Sequence, residues 1–195
     1  TLPPGSSVTV SRDGSQAARM LNRGMISGLM SVGIKVQNLE TTAMPIARYQ
    51  APALNVQGGV HIRISPDQPD VAMIEFLDQH GMNISKAMEK KIEGNYFKED
   101  FRRVQLTDIG DIAFPARVVE YYRQGFNKMV TESRELQDRK LKVVIDYAFS
   151  ISNVILPGIL AQLGIEPIVL NAHLRPKMPS AKEKRALAEQ LAEVT

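Results

Sequence analysis

The stretch GGVHIRISPDQPDVAMIEF, residues 58–76, decides how this chain is read. Val60, Ile62 and Ile64 alternate with His61, Arg63 and Ser65, the period-two pattern of a β-strand. Pro66, Asp67 and Pro69 interrupt it with turn chemistry. A second apolar run, MIEFLD over 73–78, reads as another strand. Ser65 therefore ends a strand and opens a loop. It is either a nucleophile presented by that loop or an ordinary turn residue.

Upstream, SVTV (7–10) reads as a short strand and SRDG as a turn. From Ser15 to Val32 the spacing is helical, with Ala17, Leu21, Met25, Leu29 and Val32 on one face. Met20, Met25 and Met30 are expected in the core. Gly33 follows, as is common just past a helix C-terminus. IKVQNLE (34–40) is a second strand. Strand, helix, strand over this length predicts a parallel pair with a right-handed crossover.

Downstream, TTAMPIARYQ reads as a turn and short helix, and residues 85–100 and 115–130 as amphipathic helices. Residues 131–140, TESRELQDRK, are charged and nearly free of apolar groups, the composition of a boundary or linker. The pattern then restarts. LKVVIDYAF is a strand, and SNVILPGILAQLG a helix kinked or begun at Pro157. IEPIVLNAH is a strand, Pro176 and Pro179 shape a bend, and Ser180 with Glu183 form a capping box for a last helix. Two strands do not make an independent sheet of ordinary width. We expect domain boundaries at 1–130 and 131–195, the second unit partial.

Composition excludes several chemistries. The 195-residue chain has a net charge of +3 and no cysteine, which removes disulfides, thiolate metal sites and cysteine nucleophiles. His61, His80 and His173 lack metal-ligand spacing. A lone strand histidine such as His61 reads as structural, and His80 as a turn residue. Basic residues are interleaved with acids, as on solvated helix faces, so no nucleic-acid partner is expected. No apolar run is long enough for a membrane span. The opening TLPPGSSVTVSRD lacks the signal-peptide pattern and begins without methionine. We expect a cytoplasmic protein, of which this is a piece.

VTVSRDGS, a helix, VGIKVQNLETTAMPIA and then residues 58–76 together resemble domain I of the α-D-phosphohexomutases, the phosphomannomutase/phosphoglucomutase family. LKVVIDYAFSISNVILPGILAQLGIEPIVLN resembles the start of domain II. KKIEGNYFKEDFRRVQLTDIGDI is similar to the mutase-like region that follows a nucleotidyltransferase domain in bacterial fused mannose-1-phosphate guanylyltransferases. The resemblance implies an α/β/α domain with a mixed sheet, plus the first βαβ unit of a second, similar domain. It also implies a mechanism. A phosphoserine in a T-A-S-H-N-P loop donates its phosphate to a hexose phosphate, and Mg²⁺ is held by that phosphoserine and a D-G-D-x-D-R loop of domain II.

Set on this chain, T-A-S-H-N-P falls on Arg63, Ile64, Ser65, Pro66, Asp67 and Gln68, and only the serine matches. Pro66 has no N–H to offer a phosphate. The family's N-G-I-K falls on Ala72, Met73, Ile74 and Glu75, so a cation has become an anion. Of R-D-x-R, Arg12 and Asp13 remain and Ser15 replaces the second arginine. The glycine-bearing stretch of domain II becomes AFSIS. Arg63 shares a strand face with Ser65 and either supplies charge to a phosphate or pairs with Glu75 on the next strand.

The resemblance therefore assigns Ser65 to the nucleophile position with its chemistry largely lost, and Arg12 and Arg63 to substrate binding. Ser65 is a metal ligand only if phosphorylated, and Mg²⁺ is needed only if the mutase site works. The expected partners are a hexose phosphate and an attached nucleotidyltransferase domain. On this reading the chain is a degenerate phosphohexomutase-like module, inactive alone, of a sugar-nucleotide enzyme. The alternative is a fragment of an active phosphomannomutase/phosphoglucomutase that transfers phosphate through phospho-Ser65.

Overall fold

The computed structural model describes residues 2–99, 101–130, 141–175 and 179–194. The boundary expected at 131–140, and Pro176, lie outside the described residues.

Among those residues a five-stranded sheet has the order β4-β3-β1-β2-β5. Its strands are β1 (Ser7–Arg12), β2 (Lys35–Thr41), β3 (Gly58–Ile64), β4 (Ala72–Asp78) and the two-residue β5 (Ile112–Ala113). β1, β2, β3 and β5 run parallel, and β4 is antiparallel to β3. The mixed α/β sheet is the one expected. The antiparallel edge follows from loop length. Residues 65–71 are too few for a crossover helix, so β4 folds straight back on β3.

Helix α1 (Gln16–Ser31) crosses from β1 to β2 and covers one face. Ser15 caps it, its Oγ accepting from Ala18 N at 3.1 Å. Gly33 ends it at φ +80°. Leu21, Met25, Leu29 and Val32 of the expected stripe face the core, and the departures lie toward its N-terminal end. Ala18 and Asn22 are buried, Ala17 is exposed, and Met20 is 65% exposed. Ala18 is small enough to lie against Val60 and Ile62, and Met20, two residues on, points about 200° away. Met25 does pack inward, with Leu29 and Met30, against Val8, Val10, Ile34 and Val36.

Helix α2 (Met44–Ala53) lies against β1 and β3 from the other face. Ile46, with no exposed surface, packs with Ile155 and Ile159 and with Val118, Val119, Tyr122 and Phe126. These come from α4 (Val118–Val130) and from α5 (Leu156–Gln162) with the turn before it. Tyr49 meets Tyr122 edge to face at 5.6 Å, and Gln50 Nε2 donates to Val118 O at 3.0 Å. A Cβ at position 125 would lie 2.3 Å from the Tyr49 hydroxyl, so the close approach needs Gly125. Helix α3 (Lys86–Phe97), capped by Ser85, has no fully buried residue.

The second sheet has two parallel strands, β6 (Lys142–Asp146) and β7 (Glu166–Leu170). Pro157 sits in the first turn of α5 rather than kinking a longer helix. Helix α6 (Ala181–Val194) opens on the expected capping box: Glu183 N donates to Ser180 Oγ at 3.3 Å, and Ser180 N to Glu183 Oε2 at 2.8 Å. β6 is shorter than read because Ala148 and Phe149 turn left-handed, at φ +46° and +61°. The stretch that carries glycine in the family has none here, and the left-handed turn forms without it. Phe149 is held by the Arg175 guanidinium, 4.3 Å over its ring, and by its N–H on Asn171 O.

Candidate functional site

Parallel strands β1 and β3 end side by side, and the loops that follow them form the candidate site. Asp13 ties them together. Its Oδ2 accepts from Ile64 N at 2.7 Å, its Oδ1 accepts from Ser15 N at 2.8 Å, and its own N–H donates to Ile62 O at 2.9 Å. One carboxylate thus joins the turn after β1, the cap of α1 and the residue before Ser65.

Ser65 is half-buried at the mouth of a tight turn. Its N–H donates to Val71 O at 2.8 Å, and its Oγ accepts from Gln68 N at 3.3 Å. Val71 N in turn donates to Gln68 O at 3.0 Å. Pro66 and Pro69 have no N–H. Most of the backbone donors that would cradle a phosphate are therefore absent or already used.

Sequence reasoning assigned both Arg12 and Arg63 to substrate binding. The structure puts them on opposite faces of the sheet. Arg12 lies on the α1 side, its Nη1 on Asp13 O at 2.9 Å, in a groove of about 710 Å³ that Arg19, Asn22 and Arg23 also line. Burial, and after it the neighbouring Arg19, lower the pKa of its guanidinium from the ordinary value. Arg63 lies on the α2 side, its Nε 2.6 Å and Nη2 3.4 Å from the Glu75 carboxylate. That hydrogen-bonded pair raises the Arg63 guanidinium from its ordinary value. The cation nearest Ser65 along the strand is thus already engaged by the carboxylate that stands where the family's lysine would.

His61 is 2% exposed, and its Nδ1 shares a 2.9 Å hydrogen bond with Ser11 Oγ. Ser11 is equally buried, so the pair is sealed from substrate. Burial pushes the imidazole below 6.5, outweighing the pull of Glu75 and Asp13, while Arg63 and Arg48 push the same way as burial. Folding therefore favours neutral His61. Its contribution to stability is complete above pH 6.5 and is lost as the pH falls toward the lower native value, at no more than about 1.4 kcal/mol per pH unit. Urea unfolding between pH 7.5 and 5.5 should show this loss in the wild type and a smaller one in His61→Asn. Equal slopes would place the proton uptake elsewhere.

His80 is in the turn after β4, as expected, its N–H on Asp78 Oδ1 at 2.8 Å. The sequence reading missed Lys184. From the first turn of α6 its Nζ hydrogen-bonds to Pro66 O, across 118 residues of chain. No local motif signals such a contact.

These features match what the comparisons found. Residues 2–103 match the phosphoglucomutase/phosphomannomutase alpha/beta/alpha domain I, just over half of the chain. The chain belongs to the phosphoglucomutase/phosphomannomutase family. It is 30% identical over 166 residues to a phosphoglucomutase/phosphomannomutase of Thermococcus kodakarensis, covering 85% of this chain and 36% of that protein. It is 31% identical over 173 residues to a phosphoglucosamine mutase of Natranaerobius thermophilus, covering 88% and 38%. The fold superposes on a Burkholderia thailandensis phosphoglucomutase/phosphomannomutase family protein with a TM-score of 0.77 at 20% identity, over 97% of this chain and 42% of that one. The chain thus spans well under half the length of these relatives.

Family membership implies Mg²⁺. Among the described residues no three His, Asp or Glu side chains converge, and Ser65 offers a single oxygen. These donors do not by themselves fit Mg²⁺. Among the described residues no helix is long and apolar enough to cross a membrane.

Proposed function

We propose that this chain is a phosphohexomutase-like module whose Ser65 loop holds a hexose phosphate without relaying phosphate through the serine. We read residues 1–130 as the domain I-like unit and 131–195 as a partial domain II-like unit. The parent is a larger sugar-nucleotide enzyme, a mannose-1-phosphate guanylyltransferase with an attached nucleotidyltransferase domain in the cytoplasm. What supports the fusion is the wording of residues 90–112, KKIEGNYFKEDFRRVQLTDIGDI.

The observation that carries the loss of transfer is the prior commitment of the groups around Ser65. Its own N–H is used by Val71 O, Pro66 has none, and Arg63 is neutralised by Glu75. Phosphoryl transfer is positioning plus electrostatic stabilisation, and a serine also needs a base or metal to activate it. Mg²⁺ would bind here only with phosphate on Ser65 and further ligands from outside the chain.

The second reading is an active phosphomannomutase/phosphoglucomutase of which this is the N-terminal part, the activity that the name of the Thermococcus kodakarensis relative gives to that protein. Intact-mass spectrometry separates the two. The full-length protein is incubated with mannose 1,6-bisphosphate or glucose 1,6-bisphosphate and Mg²⁺, and Ser65 is mapped. We expect no added phosphate. A phosphate on Ser65, lost in Ser65→Ala together with turnover, would establish the second reading instead.

A further inference from the structure

We propose that Lys184 is the phosphate-binding cation of the Ser65 loop, supplied by the second unit in place of the charge that β4 has lost. The inference rests on the reading of this loop as a hexose-phosphate seat.

A phosphate monoester carries close to two negative charges at neutral pH, and a site for it needs donors or cations. The loop itself provides few. Ser65 N, Gln68 N and Val71 N are spent inside the turn, and Pro66 and Pro69 have none. Asp67 and Asp70 add negative charge, which opposes an anion. Arg63, the obvious cation on the strand, is held in a two-point pair by Glu75. The loop therefore accepts a phosphate only if positive charge arrives from elsewhere.

Lys184 brings it. Helix α6 starts against the loop, and the Lys184 ammonium sits on the carbonyl of Pro66, the residue next to Ser65. An ammonium has three donors, so one bond to a carbonyl leaves two for phosphate oxygens. Lys184 also stays free of the nearest carboxylate on its own helix. Glu183 is taken by the capping box with Ser180 and by Arg175 at 3.3 Å. Ser65 Oγ only accepts within the turn, so its O–H remains to donate to the same ligand. A lysine on a long stem acts as a point charge that suits a phosphate of variable orientation.

The alternative role for Lys184 is a tether between α6 and the loop, with no ligand. Binding measurements on the full-length protein distinguish the two. Mannose 1-phosphate is titrated by calorimetry, with free mannose as the uncharged control. We expect binding of the phosphorylated sugar alone. Lys184→Ala should weaken it about tenfold, Lys184→Arg should largely restore it, and Lys182→Ala, an exposed lysine of the same helix, should leave it unchanged. If Lys184→Ala fails to fold, Lys184→Gln, a shorter side chain that still donates hydrogen bonds but carries no charge, gives the same comparison. Wild-type affinity in either neutral variant would reduce Lys184 to a tether and leave the reading of the module intact. Absence of mannose 1-phosphate binding in the wild type would overturn both. Phosphate found on Ser65 would overturn the loss of transfer only, because the Lys184 effect on binding is read separately.

Discussion

An Asp13→Ala variant is expected to lose about 3 kcal/mol of unfolding free energy, because charge-assisted hydrogen bonds are stronger than neutral ones and a buried donor left alone carries its full desolvation cost. The loss is concentrated at Ile64. That residue is 9% exposed, and its N–H donates to the Asp13 carboxylate, at 2.7 Å. Alanine leaves it without an acceptor and also frees Ser15 N. Asparagine keeps one acceptor oxygen and should lose about half as much. Urea denaturation gives the free energies, and amide exchange locates them, with Ile64 the amide most accelerated. A change below about 1 kcal/mol in the alanine variant would mean that water replaces the carboxylate and that Asp13 does not set the position of Ser65. The same variant should also reduce hexose-phosphate binding, since Ser65 follows directly on the residue that Asp13 pins.

Ile46→Ala is expected to cost about 4 kcal/mol, at the upper part of the range for a fully buried aliphatic residue. Ile46 has no exposed surface, and its neighbours come from two distant places in the chain: Val118, Val119, Tyr122 and Phe126 on α4, and Ile155 and Ile159 around α5. The cavity would open where these elements meet α2, and each is held by the others, so collapse is limited. Ile46→Val should cost only about 1 kcal/mol. Ile168→Ala, at a site 56% exposed, should cost less than either. Equilibrium unfolding of the three variants is the check. A single transition shifted in Ile46→Ala would show that the two sheets unfold together. A loss under about 1.5 kcal/mol, or two separated transitions, would mean that this cluster does not couple them.

Much of the fold is legible in the chain because it is encoded locally. Period-two alternation marks β3, Ser15 and Gly33 bracket α1, and Ser180 with Glu183 opens α6. Each signal depends on contacts within a few residues, which sequence order preserves. The length of the segment between β1 and β2 dictates their parallel pairing, and the shortness of 65–71 dictates that β4 returns antiparallel. The stripe of α1 was read correctly at Leu21, Met25, Leu29 and Val32 and missed at its first position. Ala17 and Ala18 are equally apolar, and only the surface offered by Val60 and Ile62 chooses between them.

The site was legible in identity and not in arrangement. Ser65, Pro66 and Glu75 can be read off the loop and the strand after it, and their chemistry already argues against a working relay. The sequence by itself therefore determined the elements, the family resemblance and the loss of the usual loop residues. Only the tertiary structure decided that Arg12 and Arg63 lie on opposite faces, since which side of a sheet an arginine serves depends on what packs there. Only the tertiary structure decided that Asp13 braces Ile64, that His61 is sealed with Ser11, and that Lys184 reaches Pro66. These contacts join residues from about 50 to 118 positions apart. No local periodicity records such pairings. They exist because hydrophobic burial brings distant segments together, and polar groups caught between them must then find partners.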